Sequence, residues 1–359
     1  MRRLFILLCL AVALLGGWIV VSLYVPYQRF PSQGVFVDIP HGASRRAVAR
    51  LLASQGVIRS RLVFEALSRW RSRKTLQAGE YFFDRPVTEF EVFDAIANGR
   101  VYVRELTIPE GFSMFDIADL VQREGLTSRE DFLAAARDPA LIRDLVPGAP
   151  SLEGFLFPAT YEFPRHLSAE QMVTAMVTHF RQEWIDISAQ QPNLSGLPVE
   201  QLVTLASLVE RETPKPEERP LVAGVFLNRL HRRVPLQCDP TVVYALELAG
   251  DYDGTLDARS LPFSSPYNTY RHIGLPPGPI ANPGSASLRA ALAPPQTDYM
   301  YFVANTEGGH FFSKTLAEHN RNVALYRQRL AAQRKAAPPN VSAIPPQPHP
   351  VSSDPQGPR

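Results

Sequence analysis

The sequence predicts a membrane-anchored α+β protein, and three of its features lead to this prediction. An uncharged apolar segment stands near the N-terminus, one short segment occurs twice in the first half of the chain, and amphipathic helical patterns alternate with short β-rich runs in the second half. At 359 residues the chain has room for about two domains. We therefore expect, after the anchor, a small α+β region followed by a mixed α/β domain.

The apolar segment at residues 4–25 contains 22 residues and no charge. As an α-helix it would cross a hydrocarbon layer of about 30 Å, and Arg2 and Arg3 before it predict that residues 1–3 stay in the cytoplasm. A cleaved signal peptide is the alternative, but the run is longer than a usual signal core and ends without a small-x-small site. We expect an uncleaved transmembrane helix at 4–25, a linker at 26–34, and the remaining chain on the periplasmic side of the inner membrane.

Charge and cysteine content exclude several classes of protein. The 37 Lys and Arg residues nearly balance the 35 Asp and Glu residues, and no Lys/Arg run forms an obvious basic patch, so nucleic acid is not an expected partner. Cys9 in the apolar segment and Cys238 in the soluble part are not expected to form a disulfide. The eight histidines lack HExxH spacing, and no P-loop or G-x-S-x-G elbow occurs, so we expect neither a metal nor a cofactor.

An internal repeat organises the first half of the chain. Residues 39–56 and 108–125 align with identity at seven of 18 positions. Each copy predicts a short strand, a Pro-x-Gly turn and a helix that is capped by Ser44 or Ser113 and stopped by a glycine. A second helix is predicted after each copy, near residues 61–71 and 129–137.

Further elements follow from periodicity and from proline positions. The predicted helices and strand are residues 169–183, 199–212, a helix starting near Pro220, the strand 301–304, and a charged helix at 316–335. Residues 336–359 contain eight prolines and few large apolar side chains, so this segment is expected to be disordered.

Two glutamates, Glu210 and Glu212, end the helix at 199–212. On a helical wheel each carboxylate falls at one edge of the apolar arc, so both can lean inward. Val203 and Ala206 lie behind Glu210, and the resulting desolvation would raise the pKa of Glu210 toward that of a general acid. The alternative is a structural ion pair with an arginine such as Arg219. The helix pattern leaves both interpretations open.

Two later segments carry polar candidates. In the segment 236–246, Asp239 is predicted to cap a helix that starts at Pro240, and Gln237 either borders a cleft or is merely exposed. The proline-rich loop 265–288 carries aromatic and amide side chains that suit sugars, although a peptide groove or a structural Ω-like loop would fit equally. His310 follows a pair of glycines that permit a turn and can point into a cleft.

Six motifs, in this order, resemble the YceG-like (MltG-type) family of endolytic murein transglycosylases: LASLVERET, VFLNRL, LQCDPTVVY, YNTY, GLPPGPIANPG and YFVAN…GGHFF. The resemblance covers residues 35–327. It departs from the family pattern at Cys238, where a threonine is expected, and this puts the fine shape of the cleft in doubt.

The resemblance implies a fold, a reaction and a site. The fold would contain a LysM-like region at 35–145, which includes the repeat, and a catalytic domain at 146–335. The reaction would cleave the β-1,4 bond between MurNAc and GlcNAc in nascent glycan strands, form a 1,6-anhydroMurNAc end and so terminate strand elongation. Glu210, the first glutamate of the V-E-x-E motif, would be the catalytic acid. The candidates for substrate binding are Gln237, Asp239, Tyr267, Asn268, Tyr270 and His310.

Peptidoglycan strands are the expected substrate, and penicillin-binding synthases are possible partners. A non-catalytic peptidoglycan-binding scaffold of the envelope is the main alternative, and a periplasmic peptidase is a weaker one, since no nucleophile or metal signature supports it. The carboxylate of Glu210 distinguishes the enzyme hypothesis from the scaffold hypothesis, because a binding protein has little use for a desolvated acid.

Overall fold

The computed structural model describes residues 2–336, and their contacts divide them into two compact units. The first unit comprises the residues up to 105 together with 162–166, and the second comprises 106–161 and the residues from 167 onward. The contacts therefore divide the chain after Glu105, whereas the sequence suggested a boundary after residue 145. The proline-rich segment predicted at 336–359 lies outside the described residues, apart from Ala336.

The first unit packs two antiparallel strands against three short helices, and the N-terminal helix packs on two of these. Its elements are α1 (Arg2–Tyr24), β1 (Val35–Ile39), α2 (Arg45–Ser54), α3 (Arg61–Trp70), β2 (Gly79–Phe83) and α4 (Glu89–Ala97). The strands β1 and β2 pair antiparallel, with Val37 opposite Tyr81. Both side chains are buried beside Phe64 and Phe93, so the alternation along the strands places one face on this core.

The helix α1 has the length and apolar composition of a membrane span, with a mean hydropathy of 2.9 over its most apolar window. Its last turn packs against α3 and α4, where Ser22 is buried and the rings of Tyr24 and Phe90 lie 5.0 Å apart. The predicted linker is also packed, because Tyr27 bridges to Val87 and the backbone N–H of Arg29 donates to Gly56. The first unit is thus held against the end of α1.

The second unit is mainly helical. The strands β3 (Arg104–Thr107) and β4 (Thr160–Phe163) each cross the division between the units. The helices of the second unit begin with α5 (Met114–Arg123), α6 (Arg129–Arg137), α7 (Ala169–Gln190) and α8 (Val199–Glu212). The unit continues with α9 (Arg219–His231), α10 (Asp239–Ala249), α11 (Ser285–Leu292), β5 (Tyr301–Ala304), β6 (His310–Ser313) and α12 (Leu316–Ala336). The helix α8 packs against α9, α10 and α11. The strands β3 and β4 form one two-stranded sheet, and β5 and β6 form another.

The repeat gives the same local structure twice. The hydroxyls of Ser44 and Ser113 each accept a bond of 3.2 Å from the backbone N–H three residues later, which caps α2 and α5. Gly56 and Gly125 follow these helices with φ of 73° and 65°. This left-handed conformation ends a helix, and glycine adopts it without the steric strain that a side chain would cause. The second helices, α3 and α6, lie where the sequence predicts them.

A buried amide connects three loops of the second unit. The Asn282 side-chain oxygen accepts hydrogen bonds of 2.9 Å from the backbone N–H groups of Gly154 and Leu156. Its amide nitrogen donates to the backbone oxygen of Phe112 at 2.9 Å and to a carboxyl oxygen of Glu153 at 2.8 Å. Every hydrogen-bonding position of the amide is used, so this side chain fixes the loops relative to one another.

The carboxyl of Glu153 is almost completely buried, and burial raises its pKa to about 8. The folded state favours the protonated form of this carboxyl. Its stabilising contribution is therefore fully present below the unfolded pKa of 4.5 and is lost as the pH rises to the folded pKa of about 8. The melting temperature should fall between pH 5.5 and 8, and we expect Glu153→Gln to reduce this fall. A shift of one pKa unit corresponds to about 1.4 kcal/mol of stability. The exposed Glu130→Gln is the control, and an unchanged pH slope in Glu153→Gln would contradict the prediction.

Candidate active site

The carboxylate of Glu210 is held inside the second unit by an ion pair. Its Oε1 lies 2.7 Å from Nη2 of Arg219, and its Oε2 accepts a bond of 3.0 Å from the backbone N–H of Gly284. The side chain is only 4% exposed. Burial raises the pKa of Glu210, while the Gly284 N–H and the Arg219 charge act in the opposite direction. The ion pair that the sequence left as an alternative is therefore present.

The turn of the second repeat copy packs beside Glu210. Arg219 also donates to Oε2 of Glu110, at 3.1 Å from Nη2 and 3.2 Å from Nη1. A side chain on Gly111 would begin 3.5 Å from Cγ of Glu210. The repeat thus contributes to the surroundings of α8, which explains why its second copy belongs to the second unit.

Glu212, two residues further, lies in a different environment. It is half-buried, and the buried thiol of Cys238 donates a hydrogen bond to its carboxylate. Burial raises the pKa of Glu212 to about 7, and the nearby Asp239 adds to the shift, while the thiol and Arg229 reduce it. A carboxyl with this pKa is about half protonated at neutral pH, as a general acid requires.

Arg229 organises the segment that faces Glu212. It is 3% exposed and donates to the backbone oxygens of Leu236 and Met300, both at 2.8 Å. Nη1 of Arg229 also lies 3.5 Å from Oε1 of Gln237. Gln237 has a φ of 53°, a strained conformation for a residue other than glycine. Sequence analysis missed Arg229, and the only signal was a cation within an apolar helical run.

The structure corrects the predicted role of Asp239 as a helix cap. Cys238 is the cap residue of α10 and makes no side-chain capping bond, while Asp239 already belongs to the helix. The Asp239 carboxylate instead accepts a short hydrogen bond from the hydroxyl of Tyr270. Burial and the adjacent Asp239 raise the pKa of Tyr270, so the phenol stays protonated and remains a donor.

The loop carrying the YNTY motif is held by its own side chains. The amide of Asn268 is fully buried and donates to the backbone oxygens of Leu261 and Phe263, at 2.8 and 2.7 Å. This corrects the prediction that Asn268 contacts sugar, because its amide is used to close the loop. The rings of Tyr267 and Tyr244 lie 5.1 Å apart in a tilted arrangement, and burial raises the pKa of Tyr267 to about 12.

His310 pairs with a carboxylate at the start of α9. Its Nδ1 lies 2.6 Å from Oε2 of Glu218, and its backbone N–H donates to Oε1 of the same residue at 3.0 Å. The hydroxyl of Thr213 also bonds to Glu218, at 3.3 Å. Burial would raise the pKa of Glu218, but the bonds from His310 outweigh it and lower the pKa. His310 is therefore connected to Glu212 only indirectly, through Glu218 and then Thr213, which follows Glu212 in sequence.

Three of the seven predicted site residues, Gln237, Asp239 and Tyr270, meet beside Glu212 in what we call the Glu212 cluster. It consists of Glu212, Arg229, Gln237, Cys238, Asp239 and Tyr270. Glu210 points away from this cluster toward Arg219.

A cavity of about 410 Å³ lies along the first half of α8. Its walls include Gln201 and Thr204 from α8 and Pro276 from the proline-rich loop. At 100° per residue, Gln201, Thr204 and Glu212 share one face of the helix, and Glu210 lies on the opposite face. The cavity and Glu212 are thus aligned along α8, with Thr204 and Glu212 separated by about 12 Å of helix.

Known proteins match this chain over most of its length. A family model described as the YceG-like family matches residues 37–325. The endolytic murein transglycosylase of Bacillus subtilis strain 168 is 34% identical over 321 residues, which cover 85% of this chain and 88% of the relative. A protein of the same name from Streptococcus pneumoniae is 30% identical over 364 residues, and the match covers 89% of this chain and 64% of that protein.

A solved structure matches as well. The crystal structure of a yceG-like protein from Listeria monocytogenes is 34% identical, with a TM-score of 0.53, and the match covers 80% of this chain and 98% of that one. The fold and the named relatives define a class of enzyme, the lytic transglycosylases. The chain belongs to the YceG-like family.

Proposed function

We propose that this chain is a murein lytic transglycosylase in which Glu212 carries the catalytic proton. The observation that supports this most strongly is the carboxyl of Glu212, with a pKa of about 7, on the cavity face of α8 and beside the Glu212 cluster. The proposed reaction cleaves the β-1,4 bond between MurNAc and GlcNAc inside glycan strands.

Glu212 fits the catalytic role better than Glu210, to which the family motif pointed. A general acid must present its proton to the substrate, and both oxygens of Glu210 are occupied by Arg219 and Gly284. The carboxyl of Glu212 accepts instead from a weak donor, the thiol of Cys238. Proton transfer from Glu210 would require that the buried ion pair first be broken, at considerable cost.

The proposed mechanism needs a single carboxyl. Protonated Glu212 donates to the glycosidic oxygen as the bond breaks, and the same carboxylate then accepts the proton of the MurNAc 6-hydroxyl. That hydroxyl attacks the anomeric carbon of its own sugar, closing the 1,6-anhydro ring, so no water enters and no second catalytic carboxylate of the usual glycosidase pair is required.

The other members of the Glu212 cluster would hold the site and the sugar. The Asp239 carboxylate fixes the hydroxyl of Tyr270 at the edge of the cluster. Gln237 is held by Arg229 in a strained conformation, and strain of this kind often marks a residue positioned for a ligand. We propose that Gln237 and Tyr270 orient the sugar, with Tyr267 and His310 at the margins of the groove.

The proposed location follows from α1. The helix would span the inner membrane once with its N-terminus in the cytoplasm, so that both units face the periplasm. The first unit, which includes most of the predicted LysM-like region, would bind glycan near the membrane. There the enzyme would meet nascent strands and end their elongation, in the neighbourhood of peptidoglycan synthases.

The product of the reaction tests the proposal. Purified protein is incubated with murein, and the released muropeptides are analysed by mass spectrometry. We expect products with 1,6-anhydroMurNAc ends that arise from cuts inside long glycan strands. Reducing ends would indicate hydrolysis by water, and binding without any cleavage would favour the scaffold alternative.

The thiol of Cys238 should tune the pH dependence of this reaction. Removing the donor with Cys238→Ala disfavours the ionised form of Glu212 and moves the alkaline fall in rate to higher pH. Cys238→Thr supplies a stronger donor and moves it to lower pH. Each shift should be below about one pH unit, because a single hydrogen bond contributes about 1 kcal/mol. Rates measured from pH 5 to 9 check this, and shifts in the same direction for both variants would contradict it.

A further inference from the structure

Trp70, at the end of α3, has a large apolar ring in an unusual position. It is 76% exposed, the most exposed large apolar side chain of the described soluble part. A chain of contacts leads from it to the end of α1: Cζ of Arg71 lies 6.0 Å from the Trp70 ring and 5.1 Å from the Phe90 ring, which is 5.0 Å from the ring of Tyr24. These links place the ring of Trp70 within about 16 Å of the ring of Tyr24, the last residue of α1.

The packing of α1 on the first unit fixes the position of Trp70 relative to the end of this helix. The helix ends at Tyr24 and packs on the first unit without a free linker, because Phe30 is already part of that unit's core. Its 23 residues have a length of about 35 Å, slightly more than the hydrocarbon core of a bilayer. If α1 spans the membrane, Tyr24 stands at the boundary with water, and the side chains packed around it stand at the level of the lipid headgroups.

Exposed cations lie next to Trp70 in the sequence. Arg69 is 66% exposed, and Arg73 and Lys74 in the following turn are also exposed. One buried carboxylate, Glu65, is shared by Arg46, Arg61 and Arg69 at 3.5 to 3.9 Å, so it cannot neutralise all of them. The fold thus brings Arg46 of α2 beside Arg61 and Arg69 of α3, and the exposed Arg73 and Lys74 follow Trp70 in the next turn.

We propose that Trp70, Arg69, Arg73 and Lys74 form a surface that binds the anionic phospholipid headgroups of the membrane crossed by α1. We call it the Trp70 surface, and the inference rests on the proposed membrane span of α1. Tryptophan prefers the membrane–water interface, where its ring is partly in hydrocarbon and its N–H is hydrated. Basic side chains near an anionic bilayer surface are attracted to it electrostatically. The surface would hold the first unit flat against the bilayer.

The chain has three tryptophans, Trp18 in α1, Trp70 and Trp184, which permits a direct test with the full-length protein. Two versions keep one tryptophan each, either Trp18 or Trp70, with phenylalanine at the other two positions. Each is reconstituted in vesicles of phosphatidylcholine, alone or mixed with phosphatidylglycerol, that contain lipids brominated near the headgroup. Bromine quenches fluorescence only on close contact.

We expect Trp70 to lose intensity and shift to shorter wavelength, more strongly in the vesicles with phosphatidylglycerol. Replacing Arg69, Arg73 and Lys74 together by glutamine should abolish that dependence on lipid charge and leave the quenching of Trp18 unchanged. Quenching of Trp18 without quenching of Trp70 would overturn the Trp70 surface alone. A failure to quench Trp18 would overturn the membrane span and the surface with it. A response of Trp70 to soluble murein strands but not to lipid would assign the surface to glycan instead.

Discussion

We expect Glu212→Gln to slow the proposed release of anhydro-ended muropeptides by about 10²- to 10⁴-fold. Glutamine has almost the same shape and can accept the Cys238 thiol bond, but it has no acidic proton to give to the glycosidic oxygen. The fold should persist, because the substitution removes a carboxyl whose burial already raises its pKa to about 7. The measurement is the rate of product formation from murein, with the melting temperature as a check on folding.

Glu210→Gln is the matched control, two residues away on the opposite face of α8. It weakens the bond to Arg219, which keeps its contacts with Glu110, so we expect a lower melting temperature and considerable remaining activity. The opposite pattern, an active Glu212→Gln and a folded but inactive Glu210→Gln, would return the catalytic role to the residue that the family motif indicated.

The second large effect is expected at Arg219. Arg219→Met removes the cation that faces Glu210 and Glu110, and leaves the Glu210 carboxylate buried without a positive partner. Breaking a buried ion pair from one side costs about 3–5 kcal/mol, which corresponds to a fall in melting temperature on the order of 10 °C for a unit of this size. Thermal unfolding of the full chain in detergent measures the change.

Two further variants identify its cause. The double variant Arg219→Met with Glu210→Gln removes the uncompensated charge and should recover much of the lost stability. Arg259→Met breaks an exposed pair with Asp257, and we expect little change there because water screens surface ion pairs. Equal losses in Arg219→Met and the double variant would mean that packing around the guanidinium, and not the buried charge, carries the stability.

Local patterns predicted much of the fold because they depend on neighbours in sequence. Ser44 and Ser113 cap their helices as expected, and α8 covers the predicted range 199–212. The family assignment made from six motifs is confirmed by the family model and by the named relatives. Each of these predictions rests on short-range periodicity, capping chemistry or motif order.

The site was harder to predict, because its contacts join residues far apart in the chain. Periodicity placed Glu210 and Glu212 at two edges of one apolar arc, but the partners that distinguish them are Arg219 with Gly284 on one side and the Cys238 segment on the other. No local pattern shows which long-range partner a side chain will meet.

The same limit applies to Asp239. The sequence before a proline correctly indicated a helix start, but the hydroxyl of Tyr270, about thirty residues later, determines where the carboxylate points. The cations near Trp70 are a further case, since α2 and α3 must fold together before Arg46, Arg61 and Arg69 share Glu65.

The buried thiol beside Glu212 gives the chain a native reporter. Cys238 is fully buried, and burial raises the pKa of its thiol well above normal, so an alkylating reagent can modify it only when the surrounding segment opens. Cys9, the other cysteine, lies in α1. The labelling rate of Cys238 in the wild-type protein therefore measures how often the Glu212 cluster opens, and a ligand bound at the cluster should slow the labelling.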